Sequence, residues 1–288
     1  MMMEEINQHF NGQLNLAISI FKGNYPKNFL HQLISSQLDM DRLDYLRRDS
    51  FYTGVTEGNI GSARIIKMLN VVDDSLVVDQ KGIYSLENYL TTRRLMYWQV
   101  YLHRTCVAYE KVLVNMLTRA KDLIREGQEV FASPALHYFL ENDVDKEWFI
   151  NHPEALMNYE ELDDSDIWSA MKAWRHHHDK MLATLATDML DRHIFKVEVS
   201  EEPFEDAHIE TIAKEISARM EISIEDAKHY MMSINTISKD MYNVEDDSIA
   251  ILYKNGDIRD ISEASELLNV QLLSKKIRKY YLSYQRFE

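Results

Sequence analysis

After Gly82 the chain meets neither glycine nor proline until Gly127. A stretch this long without a breaker restricts the backbone to helix, since only glycine and proline weaken a helix interior strongly. Ser85 supplies an N-cap residue. Leu90, Met96, Val100, Val107, Val112 and Leu117 recur on one face. The pattern predicts one helix of about 40 residues. The same scarcity holds throughout, with 8 Gly and 4 Pro in 288 residues, so the expected fold class is mainly α.

Other stretches follow from local signals. Residues 1–34 read as short helices punctuated by Asn11-Gly12, Lys22-Gly23 and Pro26. A helix is expected from Gln37 to about Tyr52, ended by Thr53-Gly54, and a short one over Ser62–Leu69. The run SLVVDQKGIYSL predicts a small β-hairpin, with Leu76, Val77, Val78, Ile83 and Tyr84 around a Lys81-Gly82 turn. Two or three helices are expected between Ser133 and Arg192. Near residue 193 the pattern changes: IFKVEV reads as a strand, Asp206–Arg219 and Ser223–Met232 as helices, and Asn255-Gly256 as a hairpin turn. A last helix is expected over Ser262–Tyr281. The organisation read from this is a helical body, 1–192, and a small α+β module, 193–288.

A formal net charge of -15 argues against broad electrostatic binding to nucleic acid or anionic membranes. It leaves room for a small anion held by a few converging arginines. No apolar run approaches the roughly 20 residues that span a bilayer, and the MMMEEINQHF start has no secretory pattern. The one cysteine excludes an intramolecular disulfide framework. The cytoplasm is the expected compartment. Cys106 is expected to be a small buried hydrophobe.

The densest polar cluster is the run from Asp39 to Asp49. On a helix Asp41, Tyr45 and Asp49 fall at i, i+4 and i+8 and share a face, with Arg42 beside it. Leu38, Leu43 and Leu46 face elsewhere and anchor the helix. Asp41 could bind a cation, Arg42 a phosphate, and Tyr45 and Asp49 a sugar or a phosphate. The same run also reads as a solvated helix with Asp44–Arg48 and Asp44–Arg47 ion pairs. A second stripe, Arg93, Tyr97, Tyr101 and Arg104, has 4, 4, 3 spacing. It reads either as snorkelling arginines beside packed tyrosines, or as a second wall with Arg93 on phosphate and Tyr97 and Tyr101 against a nucleoside.

The run SSQLDMDRLDYLRRDSFYTGV resembles the motif that follows the core of HD phosphohydrolases of the dNTP triphosphohydrolase kind, D-x-D-[KR]-x-D-Y-x-x-R-D and then a glycine. It is met by Asp39, Asp41, Arg42, Asp44, Tyr45, Arg48, Asp49 and Gly54. Downstream, TTRRLMYWQVYLHR resembles the T-R-x-x-x-[HY]-x-x-x-Y-x-H helix of that family, with Arg93, Tyr97, Tyr101 and His103. The resemblance covers about residues 30–125. It implies a helical HD-type body and hydrolysis of a nucleotide or other phosphoester with a divalent metal of the Mn, Fe, Mg, Zn or Ni type. By position it makes Asp41 a metal ligand. Arg42 and Arg93 become phosphate contacts, and Tyr45 and Asp49 hold the sugar end, with Tyr97 and Tyr101 on the same wall. A homo-oligomer is expected as well.

The same family takes further metal ligands from a His and a His-Asp pair upstream of the Asp41 motif. The 40 residues before Asp41 contain His9 and His31 and no His-Asp dipeptide, and a lone Asp makes no tight transition-metal site. The expectation is therefore a fragment or truncated product, inactive by itself. The alternative is a non-catalytic nucleotide-binding or oligomerisation module. The only HD dipeptide, in Arg175-His176-His177-His178-Asp179, lies far downstream. It is expected within a helix packed through Trp168, Met171, Trp174 and Leu182, with the histidines exposed and no catalytic part. Tyr280, Tyr281 and Tyr284, aromatics of the C-terminal helix, are read as packing or interface residues rather than a stacking platform.

Overall fold

The computed structural model describes residues 2–239, 248–265 and 277–287. It is mainly helical, with two small sheets and a small α+β part. The chain divides into two compact units, Met1–Leu102 with Ser238–Ile277, and His103–Ile237 with Arg278–Glu288. Residue 193, where the sequence pattern changes, lies inside the second.

The first unit begins with α1 (Met2–His9), α2 (Asn15–Phe21) and α3 (Asn28–Gln32). Helix α4 (Met40–Thr53) has Asp39 as N-cap, its side chain accepting from the Arg42 N–H at 2.7 Å. It ends at Gly54, whose φ of 72° is the left-handed turn that glycine adopts without strain. Then come α5 (Ser62–Met68), β1 (Leu69–Val72), β2 (Ser75–Asp79) and α6 (Ile83–Met96). Leu43, Leu46, Ile65, Val78, Leu86, Tyr89, Leu90 and Met96 form this unit's core.

The hairpin lies earlier than its expected place. It turns at Asp73-Asp74, with φ of 48° and 57°, and pairs Leu69 with Val78. Two successive positive φ values make the tight turn that suits strand twist, and Asp tolerates them. Gly82 is not a turn residue. It is buried, and a Cβ there would stand 2.7 Å from Val78 Cγ1. Its glycine lets the start of α6 close on β2, and Ile83 and Tyr84 belong to that helix.

The long helix is broken. Tyr97–Tyr101 forms one π-helical turn, closed by the Leu102 N–H on Tyr97 O at 2.7 Å. His103 is extended, and its Nδ1 accepts from the Thr105 N–H at 3.2 Å, capping α7 (Arg104–Arg125). Cys106, in the first turn of α7, is exposed rather than buried.

The second unit continues with five helices where two or three were expected: α8 (Pro134–Glu141), α9 (Lys146–Asn151), α10 (Pro153–Glu161), α11 (Asp164–Trp174) and α12 (Lys180–Asp191). Strand β3 (Lys196–Ser200), α13 (Asp206–Met220), α14 (Ile224–Tyr230) and β4 (Met232–Lys239) follow. Val112, Met116, Ala120 and Leu123 of α7 share a core with Trp174, Leu182, Leu185 and Ile216, whereas Trp168 is half exposed. The His-His-His-Asp run lies between α11 and α12, outside both. Asp179 caps α12 by accepting from the Leu182 N–H at 2.8 Å, and its carboxylate pairs with Arg119 NH2 at 2.8 Å.

The chain then returns to the first unit with β5 (Ala250–Leu252), β6 (Ile258–Asp260) and the single turn α15 (Ile261–Ala264). Strands β5 and β6 are antiparallel around Asn255-Gly256, as the sequence predicts, and the sheet order is β1-β2-β5-β6. The expected last helix is corrected: residues 277–281 belong to a strand, β7 (Ile277–Tyr284), and 266–276 lie outside the described residues. Strand β7 is central in a sheet of order β3-β7-β4, with Tyr281 and Leu282 buried. Tyr281, Leu282 and Ser283 are buried in succession, as in a central strand covered on both faces, and pairing with β3 overrides the helical propensity of the run.

Candidate functional site

The polar residues of α4 and α6 meet within the first unit, and each helix is set by its own burial. Leu43 and Leu46 bury one face of α4 and leave Arg42, Tyr45 and Asp49 half-buried. Leu86, Tyr89, Leu90 and Met96 do the same for α6. Tyr101 donates its hydroxyl to Asp49 Oδ2 at 2.8 Å. Its ring meets Tyr45 edge to face at 6.2 Å and Tyr97 at 5.5 Å. Arg93 stands 6.0 Å from the Tyr97 ring centre. Six of the sequence-predicted residues thus come together from three elements: Arg42, Tyr45 and Asp49 on α4, Arg93 on α6, and Tyr97 and Tyr101 on the π turn that follows it.

The electrostatics follow from this crowding. Burial raises the Tyr45 hydroxyl above its ordinary pKa, with Tyr97 adding to the effect and Arg42 and Arg93 opposing it. Burial, then the hydrogen bond to Asp49, raises Tyr101 further. Both phenols stay neutral donors. Burial pulls the Arg42 guanidinium down, but the Asp39 carboxylate outweighs it and leaves the net shift upward. A cationic Arg42 and neutral hydroxyls are groups that bind phosphate and sugar oxygens.

Three residues of this cluster carry no role in the sequence reading. Asp39 is 5% exposed, and its two oxygens take the Arg42 backbone N–H and, at 3.0 Å, Arg42 Nε. Its place directly before the helix, three residues from Arg42, is an N-cap signal that could have found it. Gln37 Oε1 accepts from Arg93 NH1 at 2.6 Å, and Gln37 O accepts from the Tyr89 hydroxyl at 2.7 Å. No local signal marks either residue, because the contacts cross more than fifty positions.

Arg104 does not join the stripe. The π turn and the His103 cap place it at the start of α7, in the second unit. Asp44 and Arg48 form the expected exposed ion pair at 2.9 Å. A cavity of about 390 Å³ beside α4, lined by Arg47, Ser50, Phe51, Gly54, Thr56 and Asn59, includes none of the six. Another of about 490 Å³ lies in the second unit.

Asp41 sits in the first turn of α4 with its side chain exposed. Among the described residues no three His, Cys, Asp or Glu side chains come together as a metal site. One carboxylate does not fit a divalent metal, which needs several protein ligands to be held tightly. His177 and His178 instead face Glu129 O and Gln128 Oε1. No helix among the described residues is long and apolar enough to cross a membrane.

Residues 60–138 match the HD associated region family. The fold is similar to that of a phosphohydrolase from Bacteroides thetaiotaomicron VPI-5482, with a TM-score of 0.94 and 60% identity over 99% of this chain and 70% of that one. The chain is 31% identical over 261 residues to the Bacillus subtilis (strain 168) protein YwfO, covering 88% of this chain and 57% of YwfO. It therefore spans little more than half of that relative. A Dictyostelium discoideum homolog of the deoxynucleoside triphosphate triphosphohydrolase SAMHD1 is 24% identical over 131 residues, 43% of this chain and 25% of that protein. Family region, shared fold and extended identity agree, and the chain belongs to the HD-type phosphohydrolase family.

Proposed function

We propose that this chain supplies the substrate wall of a metal-dependent phosphohydrolase acting on a nucleotide of the dNTP kind or on another phosphoester. The observation that carries the reading is the meeting of α4 and α6. Arg42 and Arg93 are suited to the phosphates. Tyr45, Asp49 and Tyr101 offer a hydroxyl–carboxylate patch for a sugar, and Tyr97 an aromatic face. The likeness to a protein named as a deoxynucleoside triphosphate triphosphohydrolase homolog supports the nucleotide class.

In this reading Asp41 is one ligand of a metal centre whose other ligands are not among the described residues. The metal would polarise a phosphoryl oxygen and activate water. The 288-residue chain by itself is expected to bind deoxynucleoside triphosphates and to release no phosphate from them. Calorimetric titration tests the binding. Arg42→Ala and Arg93→Ala are each expected to weaken it about tenfold or more, as loss of a charge-assisted contact does. Elemental analysis is expected to find well under one tightly held metal per chain; a stoichiometric metal overturns the incomplete-centre reading. The lone carboxylate also favours a second reading, a module that binds a nucleotide without cleaving it. Phosphate release by the purified chain would exclude it.

A further inference from the structure

The two arginines of the wall are held differently. Asp39 sets a carboxylate against Arg42 Nε at 3.0 Å, which fixes that guanidinium and offsets its charge. Arg93 is fixed by an amide: Gln37 Oε1 takes its NH1 at 2.6 Å. Among the described residues no carboxylate pairs with Arg93, and its other neighbour is the face of Tyr97. A neutral acceptor gives direction without cancelling charge. The guanidinium keeps its full positive charge and its remaining N–H donors for an incoming anion.

Gln37 is itself well placed to do this. Its backbone carbonyl receives the Tyr89 hydroxyl, and Tyr89 is fully buried one turn before Arg93 on α6. The Gln37 backbone is thus pinned to the same helix that carries the arginine. Arg42 and Arg93 both act on the Tyr45 and Tyr89 phenols, lowering them against the larger effect of burial. Both cations therefore border the same two rings.

We infer that Gln37 is a positioning residue that orients Arg93 toward a polyphosphate while leaving its charge uncancelled. The assignment rests on the phosphate-wall reading above. The test titrates inorganic tripolyphosphate into the 288-residue chain, with chelator present, for wild type, Gln37→Glu and Gln37→Met. Gln37→Glu keeps the size of the side chain and its hydrogen bond. It is expected to keep the melting temperature and to bind about tenfold more weakly. Its affinity should also depend less steeply on salt, because one cationic partner is cancelled. Gln37→Met removes the acceptor and leaves Arg93 charged. It is expected to weaken binding by about threefold with the salt dependence of wild type, as loss of orientation alone does. A role in stability alone would not move the salt dependence.

Gln37→Glu binding within twofold of wild type overturns the inference while the phosphate wall stands. Wild type failing to bind tripolyphosphate overturns the wall, and the role of Gln37 with it.

Discussion

Asp188 is 7% exposed in α12, and Gln285 Nε2 donates to its carboxylate at 2.8 Å. Burial pushes its carboxyl up to about 6, with Gln285 and His193 pulling the other way. An unfolded chain titrates the same group near 3.9. Between about 4 and about 6 the folded state therefore holds more protons, so this residue makes the fold less stable as pH rises through that window. Asp188→Asn keeps an acceptor for Gln285 and removes the charge. It is expected to stabilise the protein by on the order of 2 kcal/mol at pH 7.5 and to change little at pH 4. Urea unfolding at the two pH values checks this, and an equal effect at both would refute it. Neither the burial of Asp188 nor its partner is marked by a local signal, because Gln285 is almost a hundred residues away.

At the scale of elements, two local signals are met in the structure: Gly54 ends α4, and Asn255-Gly256 turns the β5–β6 hairpin. The start of α4 is not, since the helix begins after its Asp39 cap and not at Gln37. The Lys81-Gly82 pair carries a turn signal, yet Gly82 admits close packing on Val78 and Met68, which depends on how α5, β2 and α6 close together. Gly82→Ala is expected to destabilise by about 1–3 kcal/mol, since Val78 is 2% exposed and cannot retreat. Adding Val78→Ala should make the double variant less unstable than the sum of the two single changes. Thermal unfolding of the four proteins completes that cycle. The break at Tyr97–His103 was hidden for the opposite reason. Neither glycine nor proline marks it, and a histidine ring supplies the cap.

For the whole molecule, each unit has a core of its own. Ile65→Val in one and Ile216→Val in the other are each expected to cost about 0.5–1.5 kcal/mol. Their effects should add to within about 0.5 kcal/mol, because the two residues share no partner. Coupling well above that in denaturant unfolding would show one continuous core. The family and the candidate residues came from the order of side chains along two segments, since motif spacing is fixed once a helix forms. Arg42, Tyr45, Asp49, Arg93, Tyr97 and Tyr101 were therefore legible as candidates. Only the tertiary structure decided that α4 faces α6, that the π turn brings Tyr101 to Asp49, and that Gln37 holds Arg93. It also decided that the C-terminal run becomes the central strand β7. The physical reason is range. Capping, periodicity and turn chemistry act within a few residues and are written in the sequence. Packing against a partner fifty or more residues away sets which side chains meet, and no local pattern encodes it.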